Sequence, residues 1–172
     1  MYTVLLVDDE EDVLKNLTNT IDWPVYGIEN VLTAIDGIDA CTQLASTNVD
    51  LLITDISMPR MNGLELVRHV RQTYPNTRCI LLTSYSDFSY AKETISLGIE
   101  NYLLKPFNTE ELDNSIRKSL DNISMHKRVI ATLFMDNILY RWVINDISFD
   151  ELTERSKYTG INLFFAIIAL LY

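Results

Sequence analysis

Residues 51–63 read Leu-Leu-Ile-Thr-Asp-Ile-Ser-Met-Pro-Arg-Met-Asn-Gly. The first four residues form a short, almost wholly apolar strand, the pattern of a strand covered on both faces. Asp55 ends it with a charge. Leu64, Val67 and Val70, with Arg68 and Arg71 among them, then predict an amphipathic helix. A doubly buried strand followed by a helix is one unit of a parallel sheet.

The same alternation runs outward in both directions. Strands are expected over 2–7, 28–33, 79–83 and 101–104. Val13, Leu14, Leu17 and Ile21 recur at helical spacing, and Asp36 caps a helix carrying Ala40, Cys41, Leu44 and Ala45. Phe88, Ala91, Ile95 and Leu97 predict a further helix ended by Gly98. Five such units, with right-handed crossovers, predict an α/β fold. Its doubly wound five-stranded parallel sheet is flavodoxin-like, with order 2-1-3-4-5.

Composition limits the function classes. The chain has 172 residues, 48% of them apolar, and a net charge of −10. It is large enough for a packed core and is not a disordered acidic tail. The whole acidic excess lies in residues 1–121, with 19 acids against 9 bases, while residues 122–172 hold 5 of each. Such a charge argues against a stand-alone nucleic-acid binder and a polybasic membrane binder. Cys41 and Cys79 form neither a disulfide framework nor a zinc site, and both are expected as buried thiols. No basic region precedes the first apolar run, and the longest apolar stretch, 163–172, is half a membrane span. The expected location is cytoplasmic.

After Pro106 the alternation stops. Asn108 and Glu111 form a helix start, and no Gly or Pro follows until Gly160. Leu112, Ile116, Ile123, Ile130, Leu133 and Tyr140 fall on a and d positions of one heptad frame, together with Ser119, His126 and Asn137. A long C-terminal helix over 109–143, roughly 50 Å in length, is expected. It should pair as a coiled coil or pack on the C-terminal segment. Ser148 begins a short helix over 149–157, and 163–172 reads as a buried strand. Three segments are therefore expected: a domain over 1–122, the linker helix over 109–143, and the start of a truncated middle region over 144–172.

Polar residues stand where the strands end: Asp8 and Asp9 after the first, Asp55 on the third, Thr83 on the fourth and Lys105 on the fifth. In this fold class those ends share the carboxyl edge of the sheet, where ligands bind. Three carboxylates in one pocket repel one another, and a hard cation such as Mg²⁺ relieves them. Three acids with one Lys point to Mg²⁺ and a phosphoryl group. A carboxylate can serve as nucleophile, with Lys105 neutralising charge and Thr83 donating to a phosphoryl oxygen.

The strings Val-Asp-Asp-Glu (7–10), Thr-Asp-Ile-Ser-Met-Pro-Arg-Met-Asn-Gly (54–63), Leu-Leu-Thr-Ser-Tyr (81–85) and Tyr-Leu-Leu-Lys-Pro-Phe (102–107) resemble the response-regulator receiver domain of two-component systems. The resemblance implies that Asp55 accepts phosphate from a sensor histidine kinase. It implies Mg²⁺ held by Asp8, Asp9, Asp55 and the Ser57 carbonyl, and a switch made by Thr83 and Tyr102. The face expected to respond is helix 4, strand 5 and helix 5, residues 86–122, with homodimerisation through it or through the linker helix. Ser57 and Tyr85 match positions that tune phosphate lifetime in the family, and the Lys105–Pro106 bond is expected to be cis.

Ile-Asp-Trp-Pro (21–24) and Tyr-Ser-Asp-Phe-Ser-Tyr-Ala (85–91) are similar to receivers that precede AraC-type DNA-binding domains. That implies a transcriptional output, with DNA contacted only through a missing C-terminal domain. Two other readings stay open. One is a phosphate-independent dimerisation module. The other is a Mg²⁺-dependent phosphohydrolase using Asp55, disfavoured because Ser57 stands where such enzymes want a second Asp.

Overall fold

The computed structural model describes residues 1–84, 99, 101–143 and 146–157. The expected helix over 88–97 and strand over 163–172 lie outside the described residues. Internal contacts divide the chain into two units, 1–123 and 124–172.

In the first unit the strands are β1 (Tyr2–Val7), β2 (Ile28–Ala34), β3 (Leu51–Asp55), β4 (Arg78–Thr83) and β5 (Asn101–Leu104). All pairings are parallel and the order is β2-β1-β3-β4-β5, as expected. The helices α1 (Glu11–Thr20), α2 (Gly37–Ser46) and α3 (Gly63–Thr73) link successive strands, and a long helix runs over Thr109–Val143. A 3-10 turn at Trp23–Tyr26, absent from the sequence reading, precedes β2.

Alternation along the strands fills two cores. Leu5, Val7, Leu52 and Leu81 pack with Ala40, Leu44, Leu66 and Val67 of α2 and α3. Val4, Leu6, Ile53 and Ile80 pack with Leu14 and Leu17 of α1 and with Leu112, Ile116, Leu120 and Ile123 of the long helix. Each fully buried aliphatic side chain contributes about 2 kcal/mol, which outweighs the weak propensity of strands this short.

Side-chain caps set the helix starts. Asp36 caps α2, Asn108 Oδ1 accepts from Glu111 N at 2.7 Å, and Ser148 caps the short helix Phe149–Ser156. Asn62 and Glu65 form a reciprocal capping box on α3 that the sequence reading missed.

The heptad seam is not one continuous surface. Leu112, Ile116, Ser119 and Ile123 are buried in the first unit, so they are unavailable to a coiled-coil partner. Leu133, Asn137 and Tyr140 are exposed, as are Met125 and Val129 beside them. His126 and Ile130 lie outside the described side chains. Cys79 is buried as expected, but Cys41 is only half-buried, with Sγ 3.9 Å from Met61 Sδ. The second unit buries Ile138, Ile147 and Leu152 and sets Trp142 against Phe149. No helix among the described residues is long and apolar enough to cross a membrane.

Candidate functional site

Strand register brings the polar residues to one edge. Val7 pairs with Thr54, so Asp8 and Asp55 stand level. Asp55 pairs with Leu82 and Thr83 with Leu104, which sets Thr83 and then Lys105 just beyond them. The Lys105 amide donates to the Thr83 carbonyl at 2.6 Å, and the Lys105–Pro106 peptide is cis.

Lys105 Nζ lies 2.7 Å from Asp8 Oδ2 and 2.7 Å from Asp55 Oδ1. The second Asp55 oxygen accepts from the Ser57 amide at 2.5 Å, and Asp8 Oδ1 accepts from the Glu10 amide at 3.0 Å. Asp8, Asp55 and Thr83 are buried, and the Lys105 side chain is 16% exposed. Asp9 is exposed, Ser57 is exposed, and Tyr102 is half-buried against the core.

Charge is unbalanced here: two buried carboxylates share one ammonium. Burial raises the Asp8 carboxyl above its ordinary range, and hydrogen bonds from Lys105 and Glu10 only partly offset it. Burial opposes the Lys105 ammonium too, but hydrogen bonds to Asp55 and Asp8 prevail and raise its pKa. Lys105 is thus a fixed cation aimed at both acids.

The donor set suits a hard dication. Asp8 and Asp55 offer oxygen ligands with one negative charge left over, and Mg²⁺ binds through few carboxylates plus waters. Asp9 does not join them closely: among the described residues no three Asp, Glu, His or Cys side chains are spaced to hold a metal. The structure therefore brings together Asp8, Asp55, Thr83 and Lys105, and leaves Asp9 at the rim.

The loop after Asp55 is tightly packed. A Cβ on Gly63 would overlap the Asp55 carbonyl, so only glycine permits this approach. Arg60, which the sequence reading left without a role, has φ 64 and pairs with buried Asp36.

Residues 4–117 match the response regulator receiver domain family. The chain is 33% identical over 136 residues to the uncharacterized transcriptional regulatory protein YesN of Bacillus subtilis (strain 168), covering 77% of this chain and 37% of that protein. Its fold is similar to the REC domain of AraT, a response regulator from Geobacillus stearothermophilus. The TM-score is 0.67 at 36% identity, covering 73% of this chain and 97% of that one. It is also similar to a two component transcriptional regulator AraC from Clostridium phytofermentans ISDg. There the TM-score is 0.69 at 31% identity, covering 73% and 98%. The chain spans 37 to 53% of the length of three curated relatives it matches. By motif, sheet order and sequence match, this chain belongs to the response regulator receiver domain family.

Proposed function

We propose that the chain is a phosphoacceptor switch that takes a phosphoryl group from the phosphohistidine of a sensor kinase onto Asp55. The observation that carries this reading is the Lys105 ammonium held 2.7 Å from both Asp55 and Asp8 at the carboxyl edge of the sheet. An Asp55 oxygen bonds to phosphorus as the phosphorus–nitrogen bond breaks, and the imidazole leaves. Lys105 holds positive charge beside the forming acyl phosphate. The Ser57 amide orients the Asp55 carboxylate, and the Thr83 hydroxyl donates to a phosphoryl oxygen. Asp8 and Asp55 would hold Mg²⁺, with Asp9 and the Ser57 carbonyl completing the set when the ion draws them in, and the ion would supply charge neutralisation of the phosphoryl oxygens.

Phosphorylation then biases Thr83 and Tyr102 between two arrangements; the face read from the sequence to respond runs over 86–122, of which 86–98 and 100 lie outside the described residues. The output is control of transcription in an AraC-type regulator in the cytoplasm. Homodimers form through that face or through the exposed stripe Met125, Val129, Leu133 and Tyr140. DNA recognition is assigned to residues outside this acidic chain.

Acetyl phosphate with Mg²⁺ tests the reading. The expected result is a mass gain of one phosphoryl group that Asp55→Asn abolishes. A gain that persists in Asp55→Asn overturns the assignment. Steady phosphate release at high turnover would instead favour a phosphohydrolase.

A further inference from the structure

Residues 56–62 form the loop that leads from Asp55 into α3. Backbone bonds hold its two ends: the Ile56 amide donates to the Leu82 carbonyl at 3.0 Å, and the Gly63 amide to the Ile56 carbonyl at 3.0 Å. The middle of the loop is held from another direction, by the start of α2. There the Gly37 amide donates to the Met61 carbonyl at 3.2 Å, and a Cβ on Gly37 would come within 2.7 Å of that oxygen.

The second hold is ionic. Asp36 is 1% exposed. Its Oδ1 caps α2 by accepting from the Ile38 amide at 2.8 Å and the Asp39 amide at 2.9 Å. Its Oδ2 pairs with the Arg60 guanidinium. Capping uses only one oxygen and needs no cation. Arg60 sits at φ 64, a left-handed conformation that glycine or asparagine adopts at lower cost than arginine. Neither the helix start nor the turn accounts for an arginine here by its local needs, whereas the ion pair with buried Asp36 does. Asp36 is out of solvent while the Arg60 side chain is 56% exposed, so the pair is screened less than one between two exposed side chains.

We infer that Arg60 and Asp36 are positioning residues for phosphoryl acceptance: their ion pair pins the loop so that the Ser57 amide stays on Asp55 Oδ2. That amide lies 2.5 Å from the carboxylate. This inference rests on Asp55 being the acceptor, and it adds a residue pair outside the strand-end constellation.

Three single variants of the 172-residue chain and one double variant test it. Asp36→Asn keeps a good cap, Arg60→Gly suits the left-handed turn, and Arg60→Lys keeps the charge. The first two are expected to retain the wild-type melting temperature within a few degrees. Both should shift the Ser57 amide resonance and slow phosphorylation by acetyl phosphate at saturating Mg²⁺ at least about fivefold. Arg60→Lys should recover much of the rate. The double variant Asp36→Asn/Arg60→Gly should be no slower than the slower single, because the two residues act as one unit. Wild-type rates with an unmoved Ser57 amide in both singles overturn the proposal, as do losses that multiply in the double variant. If the wild-type chain takes up no phosphoryl group, the acceptor assignment fails, and the Ser57 resonance still decides whether the pair positions the loop.

Discussion

The Tyr26 hydroxyl donates to Asp113 Oδ1 at 2.5 Å, joining residues 87 positions apart. Arg117 closes the cluster: Nε donates to Asp113 Oδ2 at 2.9 Å, and the guanidinium lies 5.0 Å from the Tyr26 ring centroid. The turn before β2 is thereby tied to the first turns of the long helix. Burial and the Asp113 carboxylate push the phenol pKa up to about 12. The neutral phenol is the stabilised form. Its contribution is therefore complete below pH 10 and lost as pH rises from 10 through about 12. Tyr26→Phe is expected to remove this component from alkaline denaturation, and tyrosinate absorbance titration should show one fewer late-titrating phenol.

Asp8→Asn should stabilise the chain in metal-free buffer by roughly 1 kcal/mol at neutral pH, since it removes one of two buried carboxylates facing a single ammonium. The Asp8 carboxyl is raised, so its contribution is full below 3.8 and is lost as pH rises through the higher folded value. The stability gap between variant and wild type should therefore open upward from about that pH. Added Mg²⁺ should raise the wild-type melting temperature and leave the variant almost unmoved. Equal Mg²⁺ responses would remove Asp8 from the proposed metal site.

Lys105→Ala leaves Asp8 and Asp55 without their shared cation, at a cost of about 3 kcal/mol. Acidification should return part of that loss, because the Asp8 carboxyl, raised by burial, then takes a proton. Urea unfolding at pH 5 and pH 7 would check this, the expected gap between variant and wild type being smaller at the lower pH. A pH-independent gap would contradict the charge argument.

The long helix has two kinds of apolar position. Ile116 is fully buried, and Ile116→Ala should cost about 3 kcal/mol. Leu133 is 64% exposed, and Leu133→Ala should change monomer stability by less than about 0.5 kcal/mol. If the exposed stripe pairs two chains, Leu133→Ala will weaken self-association in sedimentation while Ile116→Ala acts through unfolding. A wild-type chain that sediments as a monomer at high concentration, with and without phosphorylation, would remove the helix-mediated dimer.

Most of the fold was legible because its cause is local. Short apolar runs such as Leu51–Thr54, each followed by a helical pattern, read as doubly covered strands, and β1 and β5 fall on the expected residues. The capping box of Asn62 and Glu65 also stands in the sequence at the standard spacing. The heptad frame left open what covers each part of it, for a physical reason. A period near 3.5 says that a face is apolar, not which partner covers it, and the first half of that face covers the chain's own sheet.

By itself, the sequence determined the five parallel strands, the helices α1 to α3, the long helix and the charged residues at the strand ends, because periodicity and burial act over a few neighbouring residues. Only the tertiary structure decided which groups meet. It set Lys105 between Asp8 and Asp55, and paired Arg60 with Asp36 and Tyr26 with Asp113. Those contacts depend on strand register and loop path, which join residues far apart in the chain and leave no short-range pattern to read.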